Sequence, residues 1–266
     1  MGLTTQLMSI TINPYSEEDN LQTTIWEFLP GILKFLSILA IVGILFFGSQ
    51  AYLLSVERQS AKETDPLISG LIRQNTPVFG NLEANIVVYI ISDFQCHFCA
   101  LYYPTVKQAM ATYSDKVKFA FKHYPLSNNL NSPNFRLAFA AQAAHKQGFY
   151  QEFATLAYAQ QDEFKKQGNA ILETWAKSIS GLNFEQWKVD QNSSEVRAAV
   201  VISRADVDNL ALPSTVNSKK SKPAGTPVGT PTTVLFKNQE VVDWWSGAND
   251  EALTKVLAEL TSSIDA

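Results

Sequence analysis

Cysteine is nearly missing from this sequence, with two in 266 residues. Two cysteines cannot build a disulfide framework, so the pair reads as an active group more than as a scaffold. Structural zinc is disfavoured for the same reason, because it takes four ligands and no second cysteine pair exists. The three histidines, His97, His123 and His145, form no second ligand pair at zinc-finger spacing. Positive charge is also short. Lysine and arginine number 21 against 25 acids, a formal net charge of −4, which gives no electrostatic case for nucleic acid. Residues 1–29 hold no lysine or arginine at all, unlike the short basic start of a cleaved signal peptide.

The two cysteines stand together in Asp93-Phe94-Gln95-Cys96-His97-Phe98-Cys99. The preceding run Ile86-Val87-Val88-Tyr89-Ile90-Ile91 is β-branched and aromatic and reads as a buried strand. Residues 100–113 read as a helix with Pro104 inside it as a kink. A Cys-x-x-Cys between strand and helix sets the first sulfur at a helix N-terminus, where free N–H groups and the dipole favour a thiolate. The spacing also suits a short, reducible disulfide. Two plainer readings stand beside the redox one. The pair is half a zinc site, or it is an inert staple, and a staple across so short a loop restrains the unfolded chain little.

Along the chain, residues 1–29 form a polar tail. Residues 30–56 follow, and from 35 to 56 they carry no charge, long enough to cross a bilayer as a signal-anchor helix. Residues 57–76 are a linker, and a domain fills 77–264. Within it, Val117-Lys118-Phe119-Ala120-Phe121-Lys122-His123 alternates like a half-exposed strand. Residues 134–210 read as several short helices broken at Gly148, Gly168 and Gly181, with aromatics that pack them together. Residues 213–225, with Lys219, Lys220 and Lys222, read as a solvated loop. A strand at 233–236, a turn at 237–239, a second strand at 240–245 and a helix from Asn249 close the chain.

Four segments, in this order, resemble the DsbA-like thiol-disulfide oxidoreductases, a thioredoxin-fold family with a helical insertion. They are Ser92 to Cys99, then Phe121-Lys122-His123-Tyr124-Pro125-Leu126, then Ala140 to Tyr150, then Gly229-Thr230-Pro231-Thr232. The resemblance implies an α/β thioredoxin-like fold with an inserted α-helical subdomain at about 134–210, preceded here by one N-terminal transmembrane helix. It also implies Cys96 as the exchanging sulfur and Cys99 as the resolving one, with Thr230-Pro231 as the cis-proline loop against them. The Gly-Thr-Pro triplet occurs twice, at 225–227 and 229–231, and Pro231 is preferred because a strand follows it directly.

The departures are specific. His97 stands where the family often has Pro directly after the first cysteine, and His97 and Phe98 are assigned modulating roles. The buried acid usual six residues before the first cysteine is Ile90 here, and Asp93 has the opposite strand parity.

The expected activity is therefore disulfide formation or exchange in cysteine-containing proteins. A membrane or soluble redox partner would regenerate the pair, with no cofactor and no metal. Reductase or isomerase chemistry with the same residues is the alternative. A membrane-tethered chaperone or binding module with a vestigial pair is another. The domain is expected on the extracytoplasmic side, in the periplasm or outside the cell, because disulfides persist there. That placement runs against the positive-inside count, since Arg58, Lys62 and Arg73 follow the apolar run and only Lys34 precedes it.

Overall fold

A computed structural model describes residues 71–262. The tail and anchor expected over 1–56, and most of the expected linker, lie outside the described residues. Among the described residues no helix is long and apolar enough to cross a membrane.

The central strand β2 (Ile86–Ser92) runs parallel to β3 (Val117–His123), which pairs on its far side with a short β1 (Val78–Gly80). On the other flank β2 pairs antiparallel with β4 (Thr232–Lys237), which pairs antiparallel with β5 (Glu240–Ser246). The sheet order is β1-β3-β2-β4-β5. Helix α1 (His97–Tyr113) makes the crossover that a parallel β2–β3 pair requires. Asn238 and Gln239, at φ 49° and 75°, turn β4 into β5 as a two-residue loop whose twist matches the strands.

β2 is buried on both faces, and its period of two divides the core. Ile86, Val88 and Ile90 join Cys99, Tyr102, Tyr103 and Val106 on one side. Val87, Tyr89 and Ile91 join Leu71, Val207, Leu210 and Trp244 on the other. Each such side chain contributes about 1.5–3 kcal/mol when fully withdrawn from water, which fixes the register of the strand feeding Cys96.

Between β3 and β4 lies the helical insertion: α2 (Pro133–His145), α3 (Tyr150–Ala159), α4 (Gln161–Gln167), α5 (Asn169–Ser178), α6 (Phe184–Asp190) and α7 (Ser194–Asn209). Ser132, Asn183 and Ser193 cap α2, α6 and α7 through side-chain oxygens that accept from Phe135, Gln186 and Val196 N–H. Helix α8 (Asp250–Ser262) closes the chain, with Asn249 accepting from Ala252 N–H as its cap. The fold is the mixed α/β thioredoxin-like one with a helical insertion.

Three local readings change. β1 forms at the start of the expected domain, in a stretch where no strand is expected from the sequence. It ends at Gly80, whose φ of 85° and closeness to the Val117 carbonyl leave no room for a Cβ. Lys122 alternates in sequence yet is buried, because α7 covers β3. Its ammonium donates to the Leu71 carbonyl at 2.5 Å and meets Asp206 at 3.1 Å. Lys222 is also buried, donating to the carbonyls of Asp208 and Leu210, so the loop before β4 is tied to the end of α7.

Candidate active site

β2 delivers the chain into a tight turn at Asp93-Phe94-Gln95-Cys96. The Asp93 carbonyl accepts from Cys96 N–H at 3.0 Å, and one carboxylate oxygen accepts from Gln95 N–H at 2.9 Å. Cys96 is the N-cap of α1, with extended φ and ψ of −75° and 120°. It is half-buried, whereas Cys99, one turn in, is 2% exposed; both are free thiols.

The surroundings set the two sulfurs apart. The Cys99 thiol donates to Cys96, and the Thr230 hydroxyl and the N–H groups of Cys99 and Phe98 also favour its anion, holding Cys96 down to about 5 against some burial. Burial acts on Cys99 in the other direction and pushes its thiol far up, reinforced by the hydrogen bond it gives to Cys96. Such a pair holds one sulfur as an anion and its neighbour as a thiol.

Across from Cys96 lies the loop before β4. The Thr230–Pro231 peptide is cis, and the Thr230 carbonyl oxygen is 3.2 Å from the Cys96 sulfur. The Thr230 hydroxyl is buried and without a partner in this dithiol state, which leaves it available to donate once the sulfur is an anion. Of the two Gly-Thr-Pro triplets, the second therefore abuts the cysteines.

This geometry has known counterparts. The sequence profile of the family described as Thioredoxin matches residues 73–253. The chain belongs to the thioredoxin family. Among solved structures it is similar to a thioredoxin-like oxidoreductase from Silicibacter pomeroyi, at 21% identity and a TM-score of 0.54, covering 75% of this chain and 99% of that one. It is similar to alpha-DsbA1 of Wolbachia pipientis at 16% identity and a TM-score of 0.58, over 73% and 94% of the two chains. ScsC of Proteus mirabilis in a transitional conformation aligns over 92% of this chain and 99% of that one, with 15% identity and a TM-score of 0.53. At these identities the likeness is one of fold. A curated relative, the Na(+)/H(+) antiporter NhaA 3 of Salinispora tropica, is 33% identical over 88 residues, and this chain spans 13% of its length.

The thioredoxin site draws its support from contacts that the sequence does not mark. Asp93 is buried, and its second carboxylate oxygen accepts from Leu126 N–H at 2.8 Å and Asn134 Nδ2 at 2.6 Å. It thus locks the cysteine turn to the segment after β3 and to α2. Gln161, at the start of α4, donates through Nε2 to the carbonyls of Phe94 at 2.7 Å and Cys96 at 3.0 Å. Ser92 Oγ lies 2.6 Å from Tyr158 OH. Their partners lie far apart in the chain, so no periodicity or local spacing flags them.

His97 and Phe98 are exposed, their rings 5.9 Å apart. The side chains with the largest influence on the Cys96 sulfur are those of Cys99 and Thr230. His123 is buried against Gln142 Oε1 at 3.0 Å, and burial holds its ring neutral, down to about 3.

Proposed function

We propose that this thioredoxin domain is a DsbA-like protein thiol–disulfide oxidoreductase that donates a disulfide to cysteine-containing proteins. The observation that carries the reading is the asymmetry of the pair, an anion-favouring Cys96 at a helix start beside a buried Cys99 thiol. A substrate thiolate attacks Cys96 of the oxidised pair and Cys99 leaves. A second substrate thiolate then attacks the mixed disulfide, and Cys96 leaves as the reduced enzyme. A sulfur of low pKa leaves readily, which favours release of the oxidised substrate. Thr230-Pro231 lines the other side of the sulfur, and the exposed Phe98 and Leu101, three apart on α1, offer apolar surface to an extended substrate segment. A membrane or soluble redox partner reoxidises the pair.

The oxidised protein should transfer its disulfide to a reduced two-cysteine peptide, one equivalent per molecule, and Cys96→Ala should transfer none. A measured potential near that of a reducing thioredoxin, with no net peptide oxidation, would move the assignment to a reductase.

The apolar stretch within 30–56 is the basis for a single membrane anchor with the domain on the extracytoplasmic side. Protease added to intact cells or spheroplasts should reach the domain. Digestion only after the inner membrane is broken would place it in the cytoplasm, as the flanking positive charges suggest.

A further inference from the structure

Cys99 is an anion at one moment of every exchange cycle, yet Ile90 stands where related folds place an acid for it. Ile90 is 3% exposed and packs in the same apolar cluster as Cys99, Tyr103 and Tyr158. The other charged and titratable groups near this core have partners of their own: Tyr102 of α1 shares a hydrogen bond with Thr233, and His145 of α2 lies edge-on to the Tyr150 ring. Asp93 of the turn gives its carboxylate to Gln95, Leu126 and Asn134. His123 of β3 faces Gln142. Tyr103 of α1 gives its hydroxyl to the Gln151 carbonyl, and Tyr150 is wholly buried among rings. Among side chains that leaves Ser92, at the end of β2 and hydrogen-bonded at 2.6 Å to Tyr158 of α3, which packs in the same cluster as Cys99; with the Asp93 backbone N–H, the Ser92 hydroxyl favours the Cys99 anion.

We propose that the Ser92–Tyr158 hydroxyl pair serves Cys99 in place of a carboxylate, with Ser92 as the donor to the Cys99 thiolate and Tyr158 as the residue that orients Ser92. The phenol is the better donor of the two and the aliphatic hydroxyl the better acceptor. Tyr158 O–H therefore donates into Ser92 Oγ across 2.6 Å, and the Ser92 hydrogen is left to point at the sulfur. Burial keeps Tyr158 protonated, so its sense as donor does not change with pH in the working range. Its ring is held between Phe94 and Tyr103, each with centroids 4.7 Å away, which fixes the hydroxyl in place.

The step balances without a further reagent. When a substrate thiolate attacks Cys96, the Cys96–Cys99 bond breaks and a substrate–Cys96 bond forms. The electron pair goes to Cys99, which leaves as a thiolate accepting from Ser92 O–H and later takes a proton from water. In the reverse direction the Cys99 thiol gives its proton to water. Its thiolate then attacks Cys96 and the substrate leaves as thiolate.

The inference rests on the exchange chemistry proposed above, and one experiment separates the two. The reduced full-length protein is mixed with the aromatic disulfide 5,5′-dithiobis(2-nitrobenzoate). Attack by Cys96 releases one coloured thiolate, and attack by Cys99 on the resulting mixed disulfide releases the second. The ratio of the two phases is read in each trace as a function of pH. Ser92→Ala should slow the second phase about tenfold relative to the first and move its pH midpoint up by about one unit, the loss of one hydrogen bond to an anion. Tyr158→Phe should act in the same direction by about threefold, and Ser92→Thr should restore the second phase. If Ser92→Ala does not fold, Tyr158→Phe, which removes a single oxygen, carries the test. A second phase with wild-type rate and pH profile in Ser92→Ala, or in Tyr158→Phe where that variant stands in, would overturn the proposal. Failure of the oxidase reading has a different signature, with both phases intact and no disulfide passed to the peptide.

Discussion

The Cys96 thiolate should titrate with a midpoint at about 5 in the reduced protein, well below the ordinary 9.0. At pH 7 that makes the sulfur about 99% anionic, against about 1% for an ordinary thiol. The gain as a nucleophile is nearly cancelled, because a thiolate of lower pKa is intrinsically weaker: four units at a Brønsted slope of about 0.45 cost about sixtyfold. The gain as a leaving group is not cancelled, so the perturbation speeds release of substrate from Cys96 more than capture.

The sign of the stability effect follows from the same shift. Because the folded value is depressed, the reduced protein gains stability that is complete above the ordinary pKa and is lost as pH falls through about 5. At pH 7 two units at 1.36 kcal/mol give about 2.7 kcal/mol, which water around the half-buried sulfur reduces to about 1.5–2 kcal/mol. That stabilisation of the dithiol makes the disulfide more oxidising by about 30–45 mV.

The assay is ultraviolet thiolate absorbance against pH, or the rate of alkylation by iodoacetamide. In Cys99→Ala the largest cause of the depression is gone, and the midpoint should rise by about one unit, with Cys99→Ser between the two. A wild-type midpoint near 9, or the same midpoint in Cys99→Ala, would refute the reasoning.

Other expectations rest on single contacts. Thr230→Val removes a hydroxyl that favours the Cys96 anion and should raise the same midpoint by less than Cys99→Ala does. Asp206→Ala strips the buried Lys122 of its partner and should cost about 3 kcal/mol, lowering the thermal midpoint by about 6–12 °C in a scan at neutral pH. His123, neutral in the fold down to about 3, takes up a proton only on unfolding between pH 6.5 and 3. Stability should therefore fall by about 1.4 kcal/mol per pH unit across that window, and His123→Gln should flatten that slope in acid denaturation curves.

The strands and helices were legible where one local signal sufficed. The run Ile86 to Ile91 is β-branched or aromatic throughout, so its burial on both faces needed no partner to be anticipated. The insertion announced itself through glycines such as Gly168, which ends α4 at φ 60°. β1 was hidden because three residues between Pro77 and Asn81 carry no strand pattern of their own until β3 supplies the pairing. Lys122 was misread because alternation speaks only of the sheet, and the layer that buries this residue is α7, more than seventy positions later in the chain. Of the site, the segment Ser92 to Cys99 and the second Gly-Thr-Pro carried family resemblance, whereas the contacts made by Ser92, Asn134, Tyr158 and Gln161 arise only through tertiary placement.

Those four residues also explain why the insertion belongs to the redox site. Asn134 of α2 holds Asp93, Tyr158 of α3 holds Ser92, and Gln161 of α4 holds the carbonyls of Phe94 and Cys96. The Asp93 carboxylate and the Phe94 and Cys96 carbonyls thus find partners outside the sheet, which matters because a buried carbonyl left unpaired costs about 1–3 kcal/mol. The apolar Ile90 fits the same arrangement. A carboxylate at that position would sit among the rings of Tyr103 and Tyr158 with its charge desolvated and no cation beside it. Once α3 brings a phenol to Ser92, Cys99 has a neutral donor within reach and the buried charge is unnecessary. Isoleucine at 90 and the tyrosine at 158 are thus compatible choices for one core, the second placed there by a helix of the insertion.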